Sequence, residues 1–69
     1  MKLYLSVKRR DMANFARHTV PHEVSSVEQF LASRAVANTI DIGQKFGDQF
    51  RVMEENPDPA GADTIIKTL

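Results

Sequence analysis

A small α+β domain is the fold class this chain predicts: an antiparallel sheet in ββαβ order, with a further C-terminal edge strand, packed against one central helix over about residues 26–38. Three observations carry that expectation. Residues 2–8 alternate apolar and polar side chains, Ser25-Ser26-Val27-Glu28 has the form of a helix cap, and residues 49–54 return to β-formers after Gly47-Asp48. A chain of 69 residues with 26% charged and 42% hydrophobic residues is the size and composition of one globular domain, residues 1–69.

In the first strand Leu3, Leu5 and Val7 fall on one side and Lys2, Tyr4, Ser6 and Lys8 on the other. Period-two alternation is the pattern of a strand with one wet face, so the second set is expected in solvent. Lys8-Arg9-Arg10-Asp11 breaks the alternation and forms a turn. Met12, Phe15 and Ala16 have the spacing of a single helical turn, but His18, Val20, His22 and Val24 alternate. A second strand is therefore expected to end at Val24, paired with the first. Pro21 has no N–H, which makes that strand an edge strand or bulges it there.

The helix begins at the cap. A serine hydroxyl accepts from the amide three residues on, and Glu28 reaches back to the cap amide. Val27, Phe30, Leu31 and Ala35 then share one face, with Phe30 and Leu31 as anchors worth about 1.5–3 kcal/mol each when buried. Arg34 and Asn38 fall in the same stripe, so the helix leaves the core near Ala35 or shows polar groups to an interface.

Residues 39–55 support two readings. Ile42, Phe46, Phe50 and Met53 recur at helical spacing, whereas Ile40, Ile42 and Phe46, and then Phe50 and Val52, alternate. Gly43 and Gly47 would each cost a helix about 1 kcal/mol. The expectation is a loop or short strand over 39–47, a turn at Gly47-Asp48, and a strand to Glu54. Residues 56–63, with Pro57, Pro59 and Gly61, form a connector, since each proline drives its predecessor out of the helical region. Thr64–Leu69 is rich in β-formers and supplies a final edge strand or exchanges into a neighbouring subunit.

A domain of about 60 residues buries only about 60% of the surface its unfolded chain exposes, and chains this small often add a disulfide, a metal or a second subunit. With no cysteine, disulfides, thiolate metal sites and cysteine nucleophiles are excluded. A homodimer is thus expected. No apolar run reaches membrane-spanning length, and Met1–Val7 lacks the charged and apolar regions of a secretory signal. The expected setting is cytoplasmic, without membrane contact.

Chemistry-bearing constellations are sparse. His18 and His22 are four residues apart, a spacing suited to a metal on a helix, but Pro21 lies between them and no metal site is expected. Glu54-Glu55 and Asp58 with Asp63 are carboxylate pairs, yet catalytic pairs need opposed positions in a shielded cleft, so these are expected in solvent. The serines lack a glycine-flanked elbow, and the glycines make no phosphate-binding loop. The chain is expected to be neither an enzyme nor a cofactor binder.

Charge is segregated although the total is zero. Through His22 there are five cations against Asp11, and from Glu23 onward eight carboxylates against four cations. Segregated charge steers encounters. The expected function is a small non-enzymatic protein-binding module that inhibits or regulates a partner protein by steric blocking. By size class it resembles virus-encoded accessory proteins that inhibit a host machine. The expected contact residues are Lys8, Arg9, Arg10, Arg17, Arg34, Glu54 and Glu55, the arginines foremost because Arg is enriched at binding hot spots. The alternative is a small nucleic-acid-binding protein using the N-terminal basic strand and turn, with Tyr4 and Phe15 available to stack bases. The near-neutral pI of about 6.7 weighs against that alternative.

Overall fold

The alternating N-terminal run becomes the centre of the sheet. In the computed structural model, which describes residues 1–58 and 60–69, the chain runs β1 (Lys2–Lys8), β2 (Ala16–Arg17), β3 (His22–Glu23), α1 (Val27–Ala32), α2 (Arg34–Lys45), β4 (Gln49–Glu54) and β5 (Thr64–Thr68). The sheet is antiparallel, in the order β2-β1-β4-β5, with β3 also on β1. This is the α+β arrangement the sequence predicts, including the C-terminal edge strand. Pro59, part of the expected connector at 56–63, lies outside the described residues.

Pro21 divides the second strand into two short pieces. The register sets Ser6 opposite Arg17 and Leu3 opposite His22, so the partner side carries extra residues, and Val20 is thrown into solvent. Leu5 is fully buried between the two pieces, and its backbone groups must be satisfied there. The Leu5 carbonyl accepts from the His18 amide at 2.8 Å, and its amide donates to Thr19 Oγ1 at 3.0 Å. A threonine hydroxyl thus completes the ladder where the proline interrupts it. The expected turn after Lys8 is closed by Met12 N–H donating to the Arg9 carbonyl at 2.9 Å. Residues 12–15 do not make the helical turn their spacing allows.

Two helices replace the single helix expected over 26–38. Ser26 is the cap: its hydroxyl accepts from the Gln29 amide at 3.1 Å, while Gln29 Oε1 accepts from the Ser25 amide at 2.6 Å. Gln29, not Glu28, is the reciprocal partner, because the helix starts one residue later than the Ser25–Glu28 spacing suggests. Ser33 then takes an extended conformation (φ −56°, ψ 129°) and interrupts the helix. Phe30 and Val36 lie six positions apart, which at about 100° per residue would leave them some 120° apart on a continuous helix. The break resets the phase. Phe30 from α1 and Val36, Ile40 and Gly43 from α2 all become buried, while Ala35, expected in the apolar stripe, Arg34 and Asn38 are exposed.

Residues 39–45 are helical, contrary to the expected loop or short strand. The assumed cost of Gly43 is outweighed by a close approach. A Cβ there would lie 2.4 Å from Phe50 Cζ, so glycine is what lets α2 settle on β4. Gly47, at φ 83°, ends the helix as a left-handed cap. Its amide donates to the Gln44 carbonyl at 3.1 Å and that of Asp48 to the Gly43 carbonyl at 3.0 Å, a Schellman pair. The turn falls at Gly47-Asp48 as expected, and β4 follows.

Both helices cover one face of the sheet, burying Leu3, Leu5, Phe30, Val36, Ile40, Phe50 and Val52. A register irregularity between β4 and β5 at Val52/Met53 accompanies the packing of Ile66 and Leu69 against that core. The opposite face was expected to be wet along β1, but Tyr4 and Ser6 are only 5% and 7% exposed. The Arg17 guanidinium lies 4.1 Å over the Tyr4 ring, and Phe15 stacks 3.9 Å from the Arg51 guanidinium. Phe15 from the β1–β2 loop and Asp63 at the end of the connector lie over this face.

Asp63 holds that cover in place and is not the solvated carboxylate its neighbours suggest. It accepts from the Tyr4 hydroxyl, from Arg17 Nη2 at 3.2 Å and from the Asn56 amide at 3.0 Å. The Tyr4 hydrogen bond foremost, then the Asn56 amide and Arg17, hold the Asp63 carboxyl below its ordinary value. Burial first, then the bond to Asp63, pushes the Tyr4 hydroxyl up. A depressed carboxyl stabilises the fold above the unfolded value, about pH 3.9, and that contribution disappears as pH falls through the folded value. Asp63→Asn is therefore expected to flatten part of the acid limb of the stability curve below pH 4, measured by denaturant titration at pH 6, 4, 3 and 2. The rest of that limb includes Glu23, held low by the Met1 ammonium at 2.9 Å. Parallel curves for the two proteins across this range would contradict the role given to Asp63.

Candidate functional site

The C-terminal end of β1 and the N-terminal end of β4 are neighbours, since Lys8 pairs with Gln49. The β1–β2 turn and the α2–β4 turn therefore sit side by side. Between the β1–β2 turn and the second half of α2 lies an open groove of about 630 Å³. Val7, Gly43 and Phe50 contribute to its lining, α2 and its C-cap supply Thr39, Ile42 and Phe46, and the other wall carries Arg9, Arg10, Asp11 and His18, with Asp48 at the end of the turn.

Two large apolar side chains stand exposed at this groove. Phe46 is 69% exposed and Ile42 58%. They lie four residues apart, Ile42 on α2 and Phe46 at its C-cap, off the buried side held by Ile40 and Gly43. Thr39 is fixed beside them by its hydroxyl donating to the Ala35 carbonyl at 2.8 Å. Single exposed apolar residues are ordinary; two large ones lining one cleft offer a partner a joint apolar contact.

The expected contact residues divide into separate groups. Arg9 and Arg10 line the groove, and Lys8 ends the strand that leads into it. Arg17 lies on the other side of the sheet, bound to Glu55 at 3.4 Å and Asp63 at 3.2 Å, so its charge is already matched within the fold. Glu54 and Glu55 sit at the far end of β1 beside Met1, Lys2, Glu23 and Pro57, in a smaller cleft of about 300 Å³. Arg34 opens α2 in solvent and lines neither cleft. The two histidines are also apart in role: His18 lines the groove, and the His22 ring lies 6.4 Å from that of Phe30.

Ile42, Phe46, Thr39 and His18 were not anticipated as contact residues. The signal for two of them was present. If 34–45 is one helix, Ile40 and Ile42 point about 160° apart, so Ile42 and Phe46 must lie off the core face. That signal was masked by reading the segment as extended. Fold and groove together describe a small α+β domain with a one-sided apolar cleft rimmed by arginine. No protein-family model, curated protein or solved structure matches the chain.

Proposed function

We propose that this chain is a small non-enzymatic protein-binding module of the cytoplasm, regulating or inhibiting a partner protein by occupying its surface. The observation that carries this reading is the pair Phe46 and Ile42, exposed in a cleft beside Arg9 and Arg10. Phenylalanine is enriched at protein interfaces, and arginine at their hot spots. A helix face and a turn that present them on a packed scaffold lose little freedom on binding, which favours affinity. The nucleic-acid alternative loses two of its components: Tyr4 is buried beneath Arg17, and Arg17 is neutralised by two carboxylates.

The test is photo-crosslinking from a benzoylphenylalanine placed at position 46, with position 34 as the control, in lysate of the source cells with and without nuclease. A protein adduct specific to position 46 and indifferent to nuclease is the expected result. Phe46→Ala should then weaken the identified complex by about 2 kcal/mol or more, roughly thirtyfold in Kd. Its folding stability should stay within about 0.5 kcal/mol, as for other surface substitutions. Adducts that vanish with nuclease would transfer the function to nucleic acid. Equal yields from positions 46 and 34 would remove the groove from the mechanism.

A further inference from the structure

We infer that the groove takes an acidic protein segment that carries a bulky apolar side chain, the apolar group on Phe46 and Ile42 and its flanking carboxylates on Arg9 and Arg10. This inference rests on the protein-binding reading and specifies its ligand.

The first support is a charge left unmatched at one end of the molecule. Residues 8–11 and 45–48 touch, as shown by Gly47, where a Cβ would lie 3.2 Å from Arg10 Cδ. These two turns hold Lys8, Arg9, Arg10 and Lys45 against Asp11 and Asp48. The ion pairs among the described residues are Met1–Glu23, Arg17–Glu55 and Arg17–Asp63, so none of these cations is engaged. Elsewhere in the basic N-terminal part, Arg17 is matched twice over from within the chain. At the groove the cations of these turns remain open to carboxylates supplied by a ligand.

The second support is the shape and lining. A volume of about 630 Å³ is the room that one or two side chains or a short segment fills. Its walls combine Ile42 and Phe46 with a rim of guanidinium groups, whose planar forks match carboxylates. Asp11 and Asp48 lie in the same lining, where a run of phosphates would meet them. An amphipathic peptide carries discrete carboxylates that can be placed singly on Arg9 and Arg10, whereas a regular run of phosphates cannot be spaced around Asp11 and Asp48. That asymmetry favours a protein segment over a polynucleotide.

The test uses the full chain as bait for a phage library of random 12-residue peptides, counter-selected on the Phe46→Asp variant. Enriched peptides are expected to be rich in Asp and Glu around one Leu, Ile or Phe. The best of them, made synthetically, should shift the backbone amide resonances of Arg9, Arg10, Ile42 and Phe46. Arg9→Ala/Arg10→Ala should weaken it at least tenfold, while Arg34→Ala leaves it unchanged. Basic or uncharged peptides bound at the same amides would overturn the ligand chemistry and leave the protein-binding reading intact. Absence of any peptide dependent on Phe46 would overturn both. A concentration-dependent dimer whose formation broadens the Ile42 and Phe46 resonances would overturn the inference by making a second copy the occupant.

Discussion

Phe30→Ala is expected to remove about 3–5 kcal/mol of folding stability, the loss typical of truncating a buried aromatic. Phe30 is 1% exposed and belongs to the cluster in which α1 and α2 meet β1 and β4. At about 0.05–0.15 kcal/mol per residue, a chain of this length holds only roughly 3–10 kcal/mol in total. The substitution therefore consumes a large share of the whole. Urea unfolding followed by circular dichroism should show the midpoint displaced by a few molar, or no folded baseline at all, given a slope of about 1 kcal/mol/M for a small domain. A loss below 1 kcal/mol would mean that Phe30 does not join the helices to the sheet.

Gly43→Ala is expected to destabilise the fold by about 1–3 kcal/mol, the range for overpacking a filled core. The sign is the informative part. In a solvent-facing helix the same change would stabilise by about 1 kcal/mol, because alanine is the better helix former. Here the new methyl would lie 2.4 Å from Phe50 Cζ and 2.6 Å from Phe50 Cε2. Phe50 is 1% exposed and belongs to the core cluster, so a shift of its ring disturbs packed neighbours. Either the ring leaves its rotamer or α2 lifts from β4. A partner substitution separates this cause from any other: in a Phe50→Leu background the shorter side chain makes room, and the penalty should shrink or reverse. Contacting residues of this kind show coupling of about 0.5–3 kcal/mol in double-mutant cycles. A stabilising Gly43→Ala in the unaltered protein, or strict additivity with Phe50→Leu, would refute the close approach.

The same glycine shows how far the sequence could be read. Local chemistry announced the strand at residues 2–8, the strand ending at Glu54, the turn at Gly47-Asp48 and the irregularity at Pro21. Each rests on a short-range cause: side-chain alternation, left-handed glycine geometry or a missing N–H. The helix cap was legible to within one residue, with Gln29 taking the place of Glu28. At residues 39–45 propensity counts glycine against a helix, whereas contact with the Phe50 ring on the strand that follows requires it. Ser33 was opaque for a similar reason, since only the need to turn both Phe30 and Val36 toward the sheet makes a helix break there favourable.

The candidate site followed the same division. Arg9 and Arg10 were visible as a basic turn, since a charged run that ends a strand has few alternatives to solvent. Whether a given arginine is available was not visible: Arg17 and Arg10 look alike in sequence, yet Arg17 is held by Glu55 and Asp63, which lie about forty residues away along the chain. The sequence by itself thus determined the fold class, the two central strands with the turns beside them, and the surplus of positive charge near the N-terminus, all consequences of periodicity and local stereochemistry. Tertiary structure alone decided which charges are neutralised, that Tyr4 is covered, and that Ile42 and Phe46 face a groove. Those outcomes depend on the phase at which two helices meet a sheet, and phase is set by long-range packing that no short stretch of sequence contains.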